Sequence, residues 1–216
     1  MSIELGRTVF ILVALAVLGW FALGTQLNVR RGDRVLRWLQ DGMTLLGPKT
    51  TLRWLGSSGI ELKVENARAP LRSATVFVVL EPRDLPVVWW LFHILGRRDL
   101  LVVRGELLVA PRSELEALDP RSWSAGRVER TLQGGEWTRV ALPGGSPPAL
   151  VAYTRGLEDG TAVGMLPLAL LPGAALVRLA VRHGAPHLEL QWNLAGLEAI
   201  ESRRVVQVLH RLAERA

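Results

Sequence analysis

The chain contains no cysteine and almost no lysine: of its 26 basic residues only Lys49 and Lys63 are lysines. Without cysteine, disulfides, thiolate metal sites and a cysteine nucleophile are all excluded. The absence does not fix a compartment, because a cytoplasmic protein needs no cysteine. The arginine excess reads as compositional bias rather than as selection for forked carboxylate pairs. Short catalytic signatures are missing too. None of the four histidines stands in a motif with serine and aspartate that would suggest a nucleophilic triad. Gly47-Pro48-Lys49-Thr50-Thr51 has the ending of a phosphate-binding loop, but it lacks the earlier glycine and follows a helical pattern instead of a strand. No repeat of fixed short period is present.

Charge is absent from one long stretch, and that absence organises the chain. Arg7 and Arg30 bracket 22 uncharged positions, 8 to 29, of which Val9–Gly24 is almost wholly apolar. A helix of that length reaches about 33 Å, enough for a hydrocarbon core of about 30 Å. Ten large aliphatic or phenyl side chains there favour insertion by roughly 3–6 kcal/mol. Trp20 and Phe21 lie near one end, where rings sit at headgroup level. We read residues 1–29 as an N-terminal membrane anchor. A cleaved signal peptide is the rival reading, with Ala22 and Gly24 as the small residues of a cleavage site; Glu4 beside Arg7 makes a poor basic leader. A soluble core helix does not fit, since the run has no polar face. Arg30, Arg31, Arg34 and Arg37 crowd the far end against Arg7 alone, which predicts a single-pass protein with its main domain cytoplasmic.

The remainder has the composition of a packed domain, 49% hydrophobic and 21% charged over the whole chain. Net charge is +6, but residues 1–49 hold six basic and three acidic side chains and so carry half of it. The basic excess therefore gathers where anionic headgroups would attract it. The sequence pI near 11 does not in this case indicate a nucleic-acid partner.

Along the chain, Asp33 is placed to cap a juxtamembrane amphipathic helix within residues 30–49, with Val35, Leu36, Leu39, Met43 and Leu46 at helical spacing. It reads equally as a membrane-surface helix or as the first packed helix of the domain; in the former case Trp38 enters the interface. Thr50–Leu55 and Ile60–Glu65 predict a hairpin, and Ala74–Leu80 a strand covered on both faces. Leu85–Leu95 predicts a helix of about 16 Å, too short to cross a bilayer. Its paired Trp89-Trp90 and basic flanks suit a membrane surface, whereas its short length and apolar neighbours suit a core helix; we favour the core. Leu100–Val103 and Leu107–Val109 read as strands around a bulge or turn at Gly105, and Ser113–Leu118 as a short helix. The turn-rich interval 111–133 divides the 50–216 domain into two halves. In the second half, Trp137–Leu142 and Ala149–Thr154 read as strands across the Pro143–Pro148 connection, and Gly160–Leu171 as an apolar segment broken by Gly164 and Pro167. Leu176–Arg182 and His187–Leu194 form the clearest hairpin, and Glu198–Arg215 an amphipathic helix.

The expected architecture is α+β: one N-terminal transmembrane helix, then a soluble domain of mostly antiparallel strands packed with helices. The function it suggests is a membrane-anchored cytoplasmic binding or scaffolding module, with no catalytic motif and no cofactor. Its partners would be the lipid bilayer and another protein at the membrane. An enzyme acting on a membrane-associated or lipid substrate, with a pocket near Trp89–His93, and an accessory subunit of a membrane complex are the alternatives. The candidate binding surface is the outward face of the last hairpin: Arg178, Arg182, His187, Glu189, Gln191 and Asn193. Candidate membrane contacts are Arg30, Arg31, Arg34, Arg37, Trp38, Trp89 and Trp90. His183, His187 and Glu189 could in principle offer three metal ligands, although exposed histidines at a Gly-Pro turn are ordinary.

Overall fold

The helix that opens the chain does not stop where its apolar run stops. The computed structural model describes residues 2–142, 150–156 and 163–216, with side chains from Glu4 onward. In it, α1 runs unbroken over Ser2–Leu46, 45 residues, a length of about 68 Å. The expected break at Asp33 does not occur: Asp33 is an exposed mid-helix residue. A good capping residue ends a helix only if the backbone before it leaves the helical region. Here Gly32 stays helical and lets the Trp54 ring close in, to 2.6 Å of where a Cβ would stand.

The two halves of α1 differ in exposure. Glu4–Leu46 is one helix long and apolar enough to cross a membrane by length and composition, and 6% of its most apolar 18-residue window is buried. The second half is a core element, with Val35, Leu39, Met43 and Leu46 all buried. A single stripe joins the halves: Trp20, Gly24, Asn28, Arg31, Val35, Leu39, Gly42 and Leu46 recur every three or four residues and all meet the domain. That spacing keeps one face of a straight helix against its neighbours.

The domain is built on one nine-stranded sheet, antiparallel at every pairing, in the order β1-β2-β3-β4-β9-β8-β5-β7-β6. The strands are β1 (Thr50–Trp54), β2 (Gly59–Glu65), β3 (Leu71–Val79), β4 (Leu100–Leu107), β5 (Glu114–Leu118), β6 (Thr138–Val140), β7 (Val151–Arg155), β8 (Leu176–Val181) and β9 (Leu188–Asn193). Helices among the described residues are α1, α2 (Pro86–Ile94), α3 (Ala125–Gln133), the single turns α4 (Leu166–Ala169) and α5 (Leu194–Leu197), and α6 (Ser202–Arg215). The chain is thus α+β. Pro143–Ala149 and the start of the Gly160–Leu171 segment lie outside the described residues.

Alternation sorts the sheet into two faces. Ile60, Leu62 and Val64 of β2, Val76 and Val78 of β3, Leu101 and Val103 of β4, and Leu188, Leu190 and Trp192 of β9 all enter one core. The second half of α1 and the apolar stripe of α6 (Val205, Val208, Leu209, Leu212) join the same core. The two helices are pinned together where Trp38 Nε1 donates to Ile200 O (2.7 Å) and Gly42 N–H donates to Ser202 Oγ (3.0 Å). A Cβ at position 42 would lie 2.8 Å from Ser202 O, so glycine sets how closely the helices approach. On the opposite face, Ala125 and Leu132 of α3 pack with Leu118 and Tyr153 in a second, small cluster.

Four further expectations change. Ser113–Leu118 is not a helix: Glu114–Leu118 is the fully buried strand β5, between β8 and β7. β3 is covered on one face only, since Ser73, Thr75, Phe77 and Val79 remain half-exposed. No bulge interrupts β4 at Gly105, whose missing side chain is filled by Leu71 and Leu209 from the core side. Finally, α2 forms as expected, with Gly96 at φ 82° ending it, but none of its residues is buried. It is therefore not a core helix.

Candidate functional site

Two polar networks occupy the domain, one across the open face of the sheet and one at the junction with the apolar half of α1. The first comes from the alternation that buries Leu188, Leu190 and Trp192. The intervening Glu189 and Gln191, together with Arg104 of β4, Arg178 of β8, Glu116 and Glu114 of β5 and Arg155 of β7, point the other way. Their charges alternate in sign across neighbouring strands, the arrangement in which cross-strand pairs stabilise a sheet. Arg104 Nε donates to Glu189 Oε2 (2.7 Å), and Arg178 Nη1 donates to Glu189 Oε1 (3.2 Å). Arg178 Nε also donates to Glu116, whose second oxygen takes Arg182 Nη2 at 2.8 Å. Arg155 pairs with Glu114, which also accepts from the His183 backbone N–H at 3.0 Å.

The network is partly buried, and Glu116 fully so. Burial alone would raise the Glu189 carboxyl, but Arg178 and Arg104 outweigh it and hold the group below the ordinary carboxylate value. Glu114 is likewise held low, with burial opposed by the His183 N–H and Arg155. Burial works against the Arg178 charge, yet Glu116 and Glu189 raise its affinity for the proton above the ordinary arginine value. The arginines of this face thus make specific carboxylate pairs.

Of the candidate binding residues, Arg178, Arg182, Glu189 and Gln191 belong to this network, Gln191 Nε2 donating to Glu189 at 2.7 Å. His187 turns instead to the end of β4, its Nδ1 accepting from the Leu107 N–H (2.9 Å). Asn193 ends β9, and its own N–H donates to Ala175 O (3.0 Å). The three residues weighed as metal ligands have different partners: His183 faces Glu114, His187 faces β4, and Glu189 faces two arginines. Beside the network, a groove of about 700 Å³ opens over β1–β4, floored by Lys63, Thr75, Phe77 and Arg104. The Arg104 guanidinium lies 5.2 Å from the Phe77 ring centre.

The second network clasps α1 to the domain. Asn28, fully buried, donates through Nδ2 to Glu81 O at 3.0 Å and accepts from Arg83 Nη1 at 3.1 Å. Arg83 reaches both oxygens of Asp99, at 3.1 and 3.0 Å. Asp99 also accepts from the Glu81 N–H (2.8 Å) and from Arg31 Nε (3.4 Å), and Arg31 extends to Glu198 at 2.6 Å. Two turns before Asn28, Trp20 Nε1 donates to Arg83 O (3.0 Å), and at Gly24, one turn before it, a Cβ would stand 2.2 Å from that same oxygen. Only glycine permits this approach.

Glu81 is buried and directs its carboxylate to α2, accepting from Trp89 Nε1 (2.6 Å) and meeting His93 Nδ1 at 3.0 Å. A carboxylate orienting an imidazole supplies two of the three members of a hydrolytic triad. No group of three or more His, Asp or Glu placed to hold a metal occurs among the described residues.

The candidate membrane contacts divide. Trp90 is largely exposed, Trp89 is half-buried against Trp20, and Arg30, Arg34 and Arg37 are exposed. Arg31 is engaged in the clasp. Trp38 is half-buried and bonded to Ile200 O, just before α6, about 21 Å along α1 from Gly24. Asn28, Glu81, Arg83 and Asp99 were not singled out from sequence, whereas Glu114 and Glu116, which in sequence read with Asp119 as a solvated carboxylate cluster, are buried. Asn28 alone had a local signal, a carboxamide at the end of an apolar run. No protein-family model matches this chain, and no curated protein matches it.

Proposed function

We propose that the protein is a single-pass membrane protein whose α+β domain lies on the cytoplasmic side and serves as a binding or scaffolding module. The observation that carries this reading is the division of α1, one half exposing an unbroken apolar surface and the other half forming the core. An exposed apolar surface of this size on a lone helix calls for a nonaqueous environment. The clasp supports retention of the segment. Trp20 and Gly24 contact the domain from before the alternative cleavage point and Asn28 from after it, so cleavage there would divide one continuous seam. The four arginines after the run, three of them exposed, support the cytoplasmic side.

Tethering concentrates a domain near lipid and membrane proteins without any catalytic group. The sheet face opposite the core, with its groove and the half-exposed Arg104, Arg155 and Arg182 held by buried carboxylates, is the surface for a protein partner. Its charges are already fixed by one another, so a partner meets a preorganised pattern. The Glu81–His93 pair favours a second reading, an enzyme acting at the membrane surface.

Protease protection of the full-length protein with a C-terminal reporter tests the first reading. A protected anchor with a cytoplasmic reporter is expected; a mature N-terminus at Thr25 would overturn it. Loss of a measured turnover in His93→Ala, with binding of a co-purified partner retained, would favour the enzyme.

A further inference from the structure

We propose that α2 and the turn bearing Trp123 form a second lipid contact, seated in the interfacial layer of the bilayer that α1 enters. This proposal rests on the anchor reading above and adds to it an orientation for the domain. Its first support is the exposure of α2. Val87, Trp90, Leu91 and Ile94 are 76, 61, 48 and 62% exposed, and no residue of the helix is buried. Nine helical residues span about 14 Å, so such a helix lies in the interface plane and does not cross.

The second support is position. Arg83, three residues before α2, is packed against Gly24 and bonded by Trp20, and the Trp20 and Trp89 rings stand 6.4 Å apart. The helix therefore begins at the level of the last turns of the apolar run. A bilayer that covers the run reaches α2 as well, which is why lipid is the occupant and not a separate protein.

The third support is the chemistry of the rim. Arg97 lies 5.0 Å from the Phe92 ring centre and 5.8 Å from that of Trp123, and those rings pack at 5.8 Å. Arg98 caps the end of α2 through the carbonyls of His93 and Arg97. Aromatic rings with guanidinium groups at their border match the headgroup layer, where amphipathic rings settle and anionic phosphates attract arginine.

The absence of native cysteine makes the test direct. Single substitutions Leu12→Cys, Ile94→Cys and Glu65→Cys in the full-length protein each take a spin label, with Val87→Cys as a second probe of α2. The proteins are reconstituted in vesicles of zwitterionic lipid containing a fraction of anionic lipid. Collision with oxygen, which concentrates in lipid, is compared with collision with a water-soluble nickel chelate. Expected is a deep position for residue 12, a shallow lipid position for 87 and 94, and water for 65. Residue 12 in lipid with 87 and 94 in water would overturn the second contact and leave the anchor intact. Residue 12 in water would overturn the anchor reading. In that case the second contact, defined by the same bilayer, falls with it. Shielding of 94 from both reagents would show that protein covers α2 and would overturn the lipid assignment.

Discussion

The two halves of α1 are equally helical but not equally patterned. Before Gly24 the apolar side chains surround the axis; after it they narrow to a stripe, with Arg34, Arg37 and Gln40 on the outside. A helix apolar all round needs an apolar solvent, whereas a striped helix needs a neighbour. Phe10 is 74% exposed and Val35 is 0% exposed, although both are apolar residues of the same helix. Hydrophobicity thus states a demand, and the pattern around the axis states how that demand is met.

If this division is right, substitutions should separate folding from insertion. The largest folding effect is expected at the buried carboxylate of the sheet face. Glu116→Ala leaves the Arg178 charge short of a partner and should lower stability by about 3–5 kcal/mol, read by denaturant unfolding in detergent, with membrane fractionation unchanged. The opposite change is Leu15→Arg, which should weaken insertion by about 3–4 kcal/mol. The protein would leave the carbonate-resistant membrane fraction while the domain keeps its melting midpoint in detergent. A third pair compares the halves directly. Leu39→Ala should cost about 2–5 kcal/mol of folding stability, and Leu12→Ala should stay within about 0.5 kcal/mol. Equal losses would mean that both halves are core.

The smallest effect is expected from acid. Glu114 and Glu189 are held below the ordinary carboxylate value of 4.5, so the folded state favours their charged forms. The stability they contribute is complete above that value. It is lost as pH falls below it, because the unfolded chain takes up protons first. A melting series from neutral pH downward should decline below 4.5, while Glu189→Gln should flatten part of the decline.

Much of this layout was legible in the sequence because it rests on local pattern. Ile60-Glu61-Leu62-Lys63-Val64 and Leu188-Glu189-Leu190-Gln191-Trp192 alternate without error, and the stripe of α6 is unbroken. β5 was missed because Glu-Leu-Glu-Ala-Leu carries helix-favouring residues. Its two glutamates are tolerated in a buried strand only because Arg155, Arg178 and Arg182 arrive from β7, from β8 and from just beyond β8. The clasp was missed for a related reason. Asn28, Glu81 and Asp99 are far apart in sequence, and no local rule announces that they will meet. The stripe of α1 begins at Trp20, but its upper members are a ring, a glycine and an amide, so a search for apolar periodicity starts only at Val35. The exposure of α2 is not legible because apolar content alone does not tell a buried helix from an exposed one.

The lack of any joint between the halves of α1 has a mechanical consequence. A glycine- and serine-rich tether of n residues would let a domain wander about 5–6 Å × √n from its anchor, but here n is zero. Held in a bilayer, the domain becomes the head of a stiff shaft, confined to one height above the surface and searching for partners in two dimensions. The shaft lies beside β2 and β3, and β6 is about 29 Å away across six strand spacings. An axial roll of about 10° would therefore sweep the β6 edge through about 5 Å at the strand spacing of the sheet. Torque applied to the buried segment would reach that far edge as displacement, with no flexible hinge in α1 to absorb it.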